Sequence, residues 1–222
     1  ELRQLENKQW EQITLPHTPF VEPLTVLHQW QGICYYKKKI TITPEEAKKH
    51  IWIEFEGAMH LADVWINGKH VMQHAGGYTP FVVDATGLLK TDKENELLVR
   101  LDNRNNSLIP PGKPLETLDF CYYGGIYRNV HLIAKADVHI THPILDGHPA
   151  GAGIFITYPK VSQELSVVDA KTEIKNTSDK EKVVELRHTL YTWERQKGKD
   201  KKVQNISETL TLHPCVTIEN NQ

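Results

Sequence analysis

Apolar and polar side chains alternate with period two through most of this chain, and the breaks between alternating runs carry Gly, Pro, Asn or Asp. That pattern predicts an all-β protein. In "IWIEFEG", Ile51, Ile53 and Phe55 fall on one face of a strand and Trp52, Glu54 and Glu56 on the other, which makes the first face the core candidate. "NELLVRLDN" repeats the pattern, with Leu97, Val99 and Leu101 set against Glu96, Leu98 and Arg100. Between these runs, "ADVWINGKHVMQ" contains Asn67-Gly68, two residues that tolerate the positive φ required at both centres of a type I′ hairpin turn. Such a turn predicts Val64 opposite Val71 and Trp65 opposite His70. Helix is expected only in "TPEEAKKH", where Thr43 can cap, Pro44 suits the first helical position and Glu46 completes a capping box.

After the strand that ends near Ile133, "AKADVHITHPILDGHPAGAG" is rich in Gly, Pro and His, and a second set of alternating runs begins beyond it. A domain boundary is therefore expected near residue 137, giving one domain over 1–137 and another over 138–222. "LSVVDAKTEIKN", "KVVELRHTLYTW" and "ISETLTL" are expected to be strands of a small sandwich. The charged run "ERQKGKDKK" should form a solvated hairpin tip between two of them.

Composition narrows the function classes. Of the 222 residues, 39% are apolar and 24% charged, which is enough to build a sizeable core. The net charge of −2, with Lys and Arg scattered, lacks the basic footprint of a nucleic-acid binder. No apolar run approaches the roughly 20 residues of a bilayer-spanning helix, and "ELRQLENKQW" lacks the layout of a signal peptide. The three cysteines, Cys34, Cys121 and Cys215, cannot all pair within the chain. The closest histidine spacings, His70 with His74 and His139 with His142, do not form a metal-ligand signature, so neither a metal site nor a cofactor is predicted.

Candidate chemistry concentrates in "LDFCYYGGIYRNVHL", residues 118 to 132. Asp119 lies outside the alternating runs, on a loop six residues before Gly125, where a rigid scaffold commonly carries function. Phe120, Tyr122 and Tyr123 can either present a ring to a ligand or fill core. Gly124 and Gly125 should permit a bulge or turn that aims Asp119 outward. Arg128, flanked by apolar residues, is expected to be buried against a carboxylate such as Asp84 or Asp102. Elsewhere, Glu54 and Glu56 share one strand face, but two carboxyl groups that work together as acid and nucleophile need to converge about 5 to 5.5 Å apart in a pocket. A solvated outer face explains that pair without catalysis, and no catalytic residue is assigned.

Taken in order, "WEQITLPHTPF", "QGICYYKKKITI", "IEFEGAMHLADVWINGKHVMQHAGGYTPFVVDAT", "NELLVRLDN" and "GGIYRNVHL" resemble the amino-terminal region of glycoside hydrolase family 2, over about residues 10 to 135. The resemblance implies a jelly-roll, or galactose-binding-like, β-sandwich followed by an immunoglobulin-like β-sandwich that stops short of its last strands. It also implies a downstream α/β barrel carrying the catalytic acid and nucleophile, because no family-type "N-E" motif is found here. In the family, an aspartate at the offset of Asp119 reaches into the barrel's active site and hydrogen-bonds sugar hydroxyls, and Tyr122 and Tyr123 become candidate sugar contacts beside it. The implied partners are a β-galactoside-like substrate in the full-length enzyme, the barrel, and a second copy in a possible homo-oligomer; β-glucuronide and β-mannoside substrates stay open. A periplasmic or secreted address follows only by analogy. Two other functions compete: a self-sufficient carbohydrate-binding module, and a structural pair of domains that touches no sugar.

Overall fold

The computed structural model describes residues 5, 9–21, 29–147, 152–192, 201–213 and 216–221. The chain divides into two compact units, Glu1–Ala134 and Lys135–Gln222, each built from β-strands.

The first unit contains β1 (Ile33–Ile40), a one-turn helix α1 (Pro44–Ala47), β2 (His50–Phe55), β3 (Leu61–Ile66), β4 (Lys69–Ala75), β5 (Phe81–Asp84), β6 (Asn95–Asp102) and β7 (Val130–Lys135). A four-stranded sheet runs in the order β1-β6-β3-β4 and a three-stranded sheet in the order β5-β2-β7. One apolar cluster joins the two sheets, with Ile51, Ile53 and Phe55 from β2 meeting Val64, Val99 and Leu101 from β3 and β6. Each of these side chains is at most 2% exposed. Burial of that kind stabilises the fold by about 1.5–3 kcal/mol per side chain. Phe55 and Phe81, paired across β2 and β5, stack with ring centroids 4.5 Å apart.

The alternation identifies the core face, but the opposite face is drier than expected. Trp52 and Leu98 are 5% and 6% exposed. Leu98 lies level with Lys37 on β1 and Trp65 on β3, and long side chains of this type shield apolar area on an outer sheet face.

At the β3–β4 turn, Asn67 and Gly68 have φ of 52° and 78°, as a type I′ turn demands. Asn67 adds side-chain bonds: its Nδ2 donates to Asn95 Oδ1 at 2.9 Å, and its Oδ1 accepts from the Glu96 amide at 3.0 Å. Trp65 pairs with His70 as predicted, but Val64 pairs with Met72. The expected Val64–Val71 pairing is replaced because a bulge places one extra residue in β4. The capping box at α1 forms as expected. Thr43 Oγ1 accepts from the Glu46 amide at 3.2 Å, and Glu46 Oε2 accepts from the Thr43 amide at 2.7 Å.

The second unit contains β8 (Val138–Ile140), β9 (Ile154–Lys160), β10 (Val167–Asn176), β11 (Lys182–Thr192), β12 (Lys201–Leu212) and β13 (Val216–Asn221). β10 is central, bonded to β13, β8 and β9, while β11 and β12 form a separate pair. Ile174, Leu186 and Leu212 make a small core between these sheets. Residues 194–200 of the charged run lie outside the described residues. Lys201 and Lys202 pair with Thr192 and Tyr191, so the end of that run is strand and not tip.

Candidate functional site

The long connection from β6 to β7 carries most of the candidate chemistry, and one amide organises it. Gln31 Nε2 donates to Asn105 Oδ1 at 2.8 Å, to the Asn103 carbonyl at 3.2 Å and to the Tyr122 hydroxyl at 3.5 Å. Asn103, 1% exposed, extends the pairing of β1 and β6: its Oδ1 accepts from the Gly32 amide at 2.8 Å and its Nδ2 donates to the Trp30 carbonyl at 3.1 Å. Asn105 Oδ1 also accepts from the Leu115 amide at 3.0 Å, which draws the far arm of the loop back to its start. A 3₁₀ turn, Leu115–Thr117, then delivers the chain to Asp119.

Asp119 is exposed at a bend, and its carboxylate has no hydrogen bond among the described residues. Turn capping, the structural use of an Asp near Gly, is therefore not what occupies it. Phe120 is also exposed. Tyr122 differs from the expectation of a sugar-facing ring: it is buried in a cluster with Met59 and Leu115, because its large apolar area fills the gap beneath the loop. Burial raises its phenol above the ordinary value, and the bond to Gln31 opposes that only in part. Tyr123 is half-buried.

Gly124 and Gly125 are buried where no side chain fits. A Cβ on Gly124 would stand 2.9 Å from Asn103 Nδ2 and 3.1 Å from the Trp30 ring. Gly125 has φ of 106°, and its carbonyl accepts from the Met59 amide at 2.9 Å, fixing the loop's return to β7. Arg128 corrects a prediction: it is exposed, with its guanidinium over the Tyr127 ring at 5.6 Å, and is not buried against Asp84 or Asp102. A solvated cation needs no buried counter-charge. Asp102 is instead held by Arg104 and Arg100, while Asp84 accepts from the Thr86 amide. Glu56 bonds His131 and the Asn129 amide, and the His131 bond is the main reason its carboxyl lies below the usual range. Cys34 is a half-buried free thiol pushed up to about 12 chiefly by desolvation; Cys121 is also free, and Cys215 lies outside the described residues.

Beside this loop, Gln31, His60, Leu61, Asp102, Arg104, Asn105 and Asn106 line an open cleft of about 610 Å³. None of these was singled out from the sequence as a ligand residue, although the run "DNRNN" directly after a strand was a signal available for it. Arg104 grips Asp102 with Nε on Oδ1 at 2.9 Å and Nη2 on Oδ2 at 2.6 Å, while Arg100 reaches Oδ2 at 3.3 Å. Burial alone would raise the Asp102 carboxyl, but the Arg104 bonds and the two guanidinium charges outweigh it and hold it below its ordinary value. His60 is 2% exposed, its Nδ1 lacks a partner, and desolvation lowers its basicity more than Asp102 restores it. The cleft thus presents neutral amides and a charge-compensated guanidinium, groups suited to hydrogen-bonding hydroxyls, with the desolvated His60 imidazole in its wall.

Residues 10–136 match the family model described as "Glycosyl hydrolases family 2, sugar binding domain". The chain belongs to glycoside hydrolase family 2. Its family 2 relatives include a β-glucuronidase of Formosa agariphila, 32% identical over 190 residues, a match spanning 80% of this chain and 19% of that protein. A β-galactosidase of Thermoanaerobacter pseudethanolicus is 33% identical over 177 residues, covering 77% of this chain and 24% of the relative. Among solved structures, the Bacteroides uniformis β-glucuronidase superposes with a TM-score of 0.78 at 30% identity, over 96% of this chain and 24% of that one. The chain thus spans about a fifth to a quarter of the length of these relatives. The all-β, sandwich-like architecture is that of family 2 neighbours.

Proposed function

We propose that this chain is a non-catalytic amino-terminal portion of a family 2 glycoside hydrolase, and that Asp119 completes the sugar site of a catalytic α/β barrel in the same polypeptide. The observation that carries this reading is the exposed Asp119 carboxylate, without a hydrogen bond among the described residues, on a loop anchored at both ends by Asn103 and Gly125. A carboxylate accepts several hydroxyl hydrogen bonds at charge-assisted strength, and a rigid mounting lets those bonds orient the sugar. The proposed substrate is a β-galactoside, in line with the β-galactosidase relatives. A β-glucuronide is the second reading, favoured by the β-glucuronidases of Formosa agariphila and Bacteroides fragilis at 32% and 34% identity.

The test is kinetic, on the polypeptide that carries this chain together with its barrel. Asp119→Ala should lower kcat/KM by at least about tenfold, or about 1.4 kcal/mol of transition-state binding, with an unchanged thermal midpoint. Undiminished kcat/KM would overturn the role. The ratio of kcat/KM for p-nitrophenyl β-galactoside to that for the β-glucuronide decides between the two substrates.

A further inference from the structure

We propose that the cleft between Gln31, His60, Arg104 and Asn106 is a binding site for an uncharged saccharide that works independently of Asp119. Its polar groups are fixed by bonds made behind them. Arg104 commits Nε and Nη2 to Asp102, which holds the guanidinium plane and leaves Nη1 without a bond among the described residues. Asn106 accepts the Leu108 amide at 2.9 Å through Oδ1, which fixes its amide and leaves the Nδ2 donor for a ligand. Gln31 spends Nε2 on three acceptors, and its Oε1 is the remaining acceptor of that amide. His60 forms part of the inner wall, 2% exposed, with its Nδ1 buried behind the cleft surface and without a partner among the described residues.

Donors and acceptors interleaved in this way match vicinal hydroxyls, each of which both gives and receives a bond. An anion is disfavoured. Asp102 already compensates Arg104, and Glu116 stands next to Asn105 at 3.4 Å. Asp102 has both carboxylate oxygens engaged, so a cation finds no open ligand there. Leu61 is the one apolar lining residue, too little for an apolar guest, while the volume of about 610 Å³ is in the range that holds a small saccharide.

The test is a titration of the isotopically labelled 222-residue chain with methyl β-D-galactoside and, separately, methyl β-D-glucuronide, read at the side-chain amide resonances of Gln31 and Asn106. Saturable shifts at millimolar galactoside are expected, with weaker binding of the glucuronide. Asn106→Asp keeps the acceptor used by Leu108 and removes the donor; it should weaken binding by about threefold to tenfold, the worth of one hydrogen bond. Arg104→Lys keeps a cation for Asp102, withdraws the planar fork and should weaken binding likewise. Asp119→Asn should leave binding unchanged. Absence of saturable shifts at these amides, insensitivity to both cleft variants, or preference for the glucuronide would overturn the proposal. Loss of binding in Asp119→Asn alone would overturn it too, and would support the Asp119 site instead.

Discussion

Gly125→Ala is the smallest change that tests how the loop is anchored. Two separate costs arise at this position. The backbone has φ of 106°, a conformation that costs a residue with a Cβ about 1–3 kcal/mol. The new methyl carbon would also stand 2.5 Å from the Tyr36 hydroxyl and 2.6 Å from the His17 carbonyl oxygen. The second contact is with backbone, tied through the His17 amide to the Ile126 carbonyl at 2.8 Å, so neither side yields easily. Overpacking of this kind costs typically about 1–3 kcal/mol. The sum is about 2–6 kcal/mol, and a unit of this size loses roughly 3 °C of midpoint per kcal/mol, so the first unfolding transition should fall by roughly 6–18 °C. Gly68→Ala separates the two costs: φ is 78° there, but nothing lies within 4 Å of the added carbon. It should lose only the conformational part, about 1–2 kcal/mol for the left-handed region. Scanning calorimetry of the two variants beside the parent chain decides the matter. Equal midpoints for Gly125→Ala and Gly68→Ala would refute the packing argument, and a Gly125→Ala midpoint equal to that of the parent would refute both parts.

Asn67→Ala removes a residue suited to φ of 52° together with the bonds to Asn95 and the Glu96 amide, so denaturant titration should show a loss of about 1–3 kcal/mol. Thr43→Ala breaks the capping box before α1 and should cost about 0.5–1 kcal/mol by the same measurement. The pH dependence follows from His60 and His74, both made less basic in the fold chiefly by desolvation. The unfolded chain binds protons at these sites first, so their contribution is fully present above about pH 6.5 and is lost as the pH falls through the lower folded values. Midpoints measured from pH 7.5 down to pH 5 should decline, and a flat profile would contradict that assignment.

The period-two pattern exposed the core side of β2 and β6 because Ile51, Ile53, Phe55, Val99 and Leu101 all face the opposing sheet. It missed Trp52 and Leu98 because alternation carries no information about what covers an outer face. Asn67-Gly68 fixed the turn, yet the bulge at Val71 was invisible, since an extra residue in β4 alters no residue type. Asp119 stood out as a lone carboxylate off the pattern. Arg128 misled because apolar neighbours in sequence do not bury a side chain whose strand has not yet begun. The cleft was illegible for a different reason. Gln31, His60 and Arg104 meet only through the pairing of β1 and β3 with β6, and no local signal marks residues that distant as neighbours.

One nitrogen of Gln31 serves three oxygens, at 2.8, 3.2 and 3.5 Å. It cannot be best seated for all three at once. A sugar that draws Asn105 closer would slacken the grip on Tyr122, and a shift of Tyr122 would be felt at Asn105. Because the amide nitrogen carries two hydrogens for these three acceptors, tightening one contact comes at the expense of another.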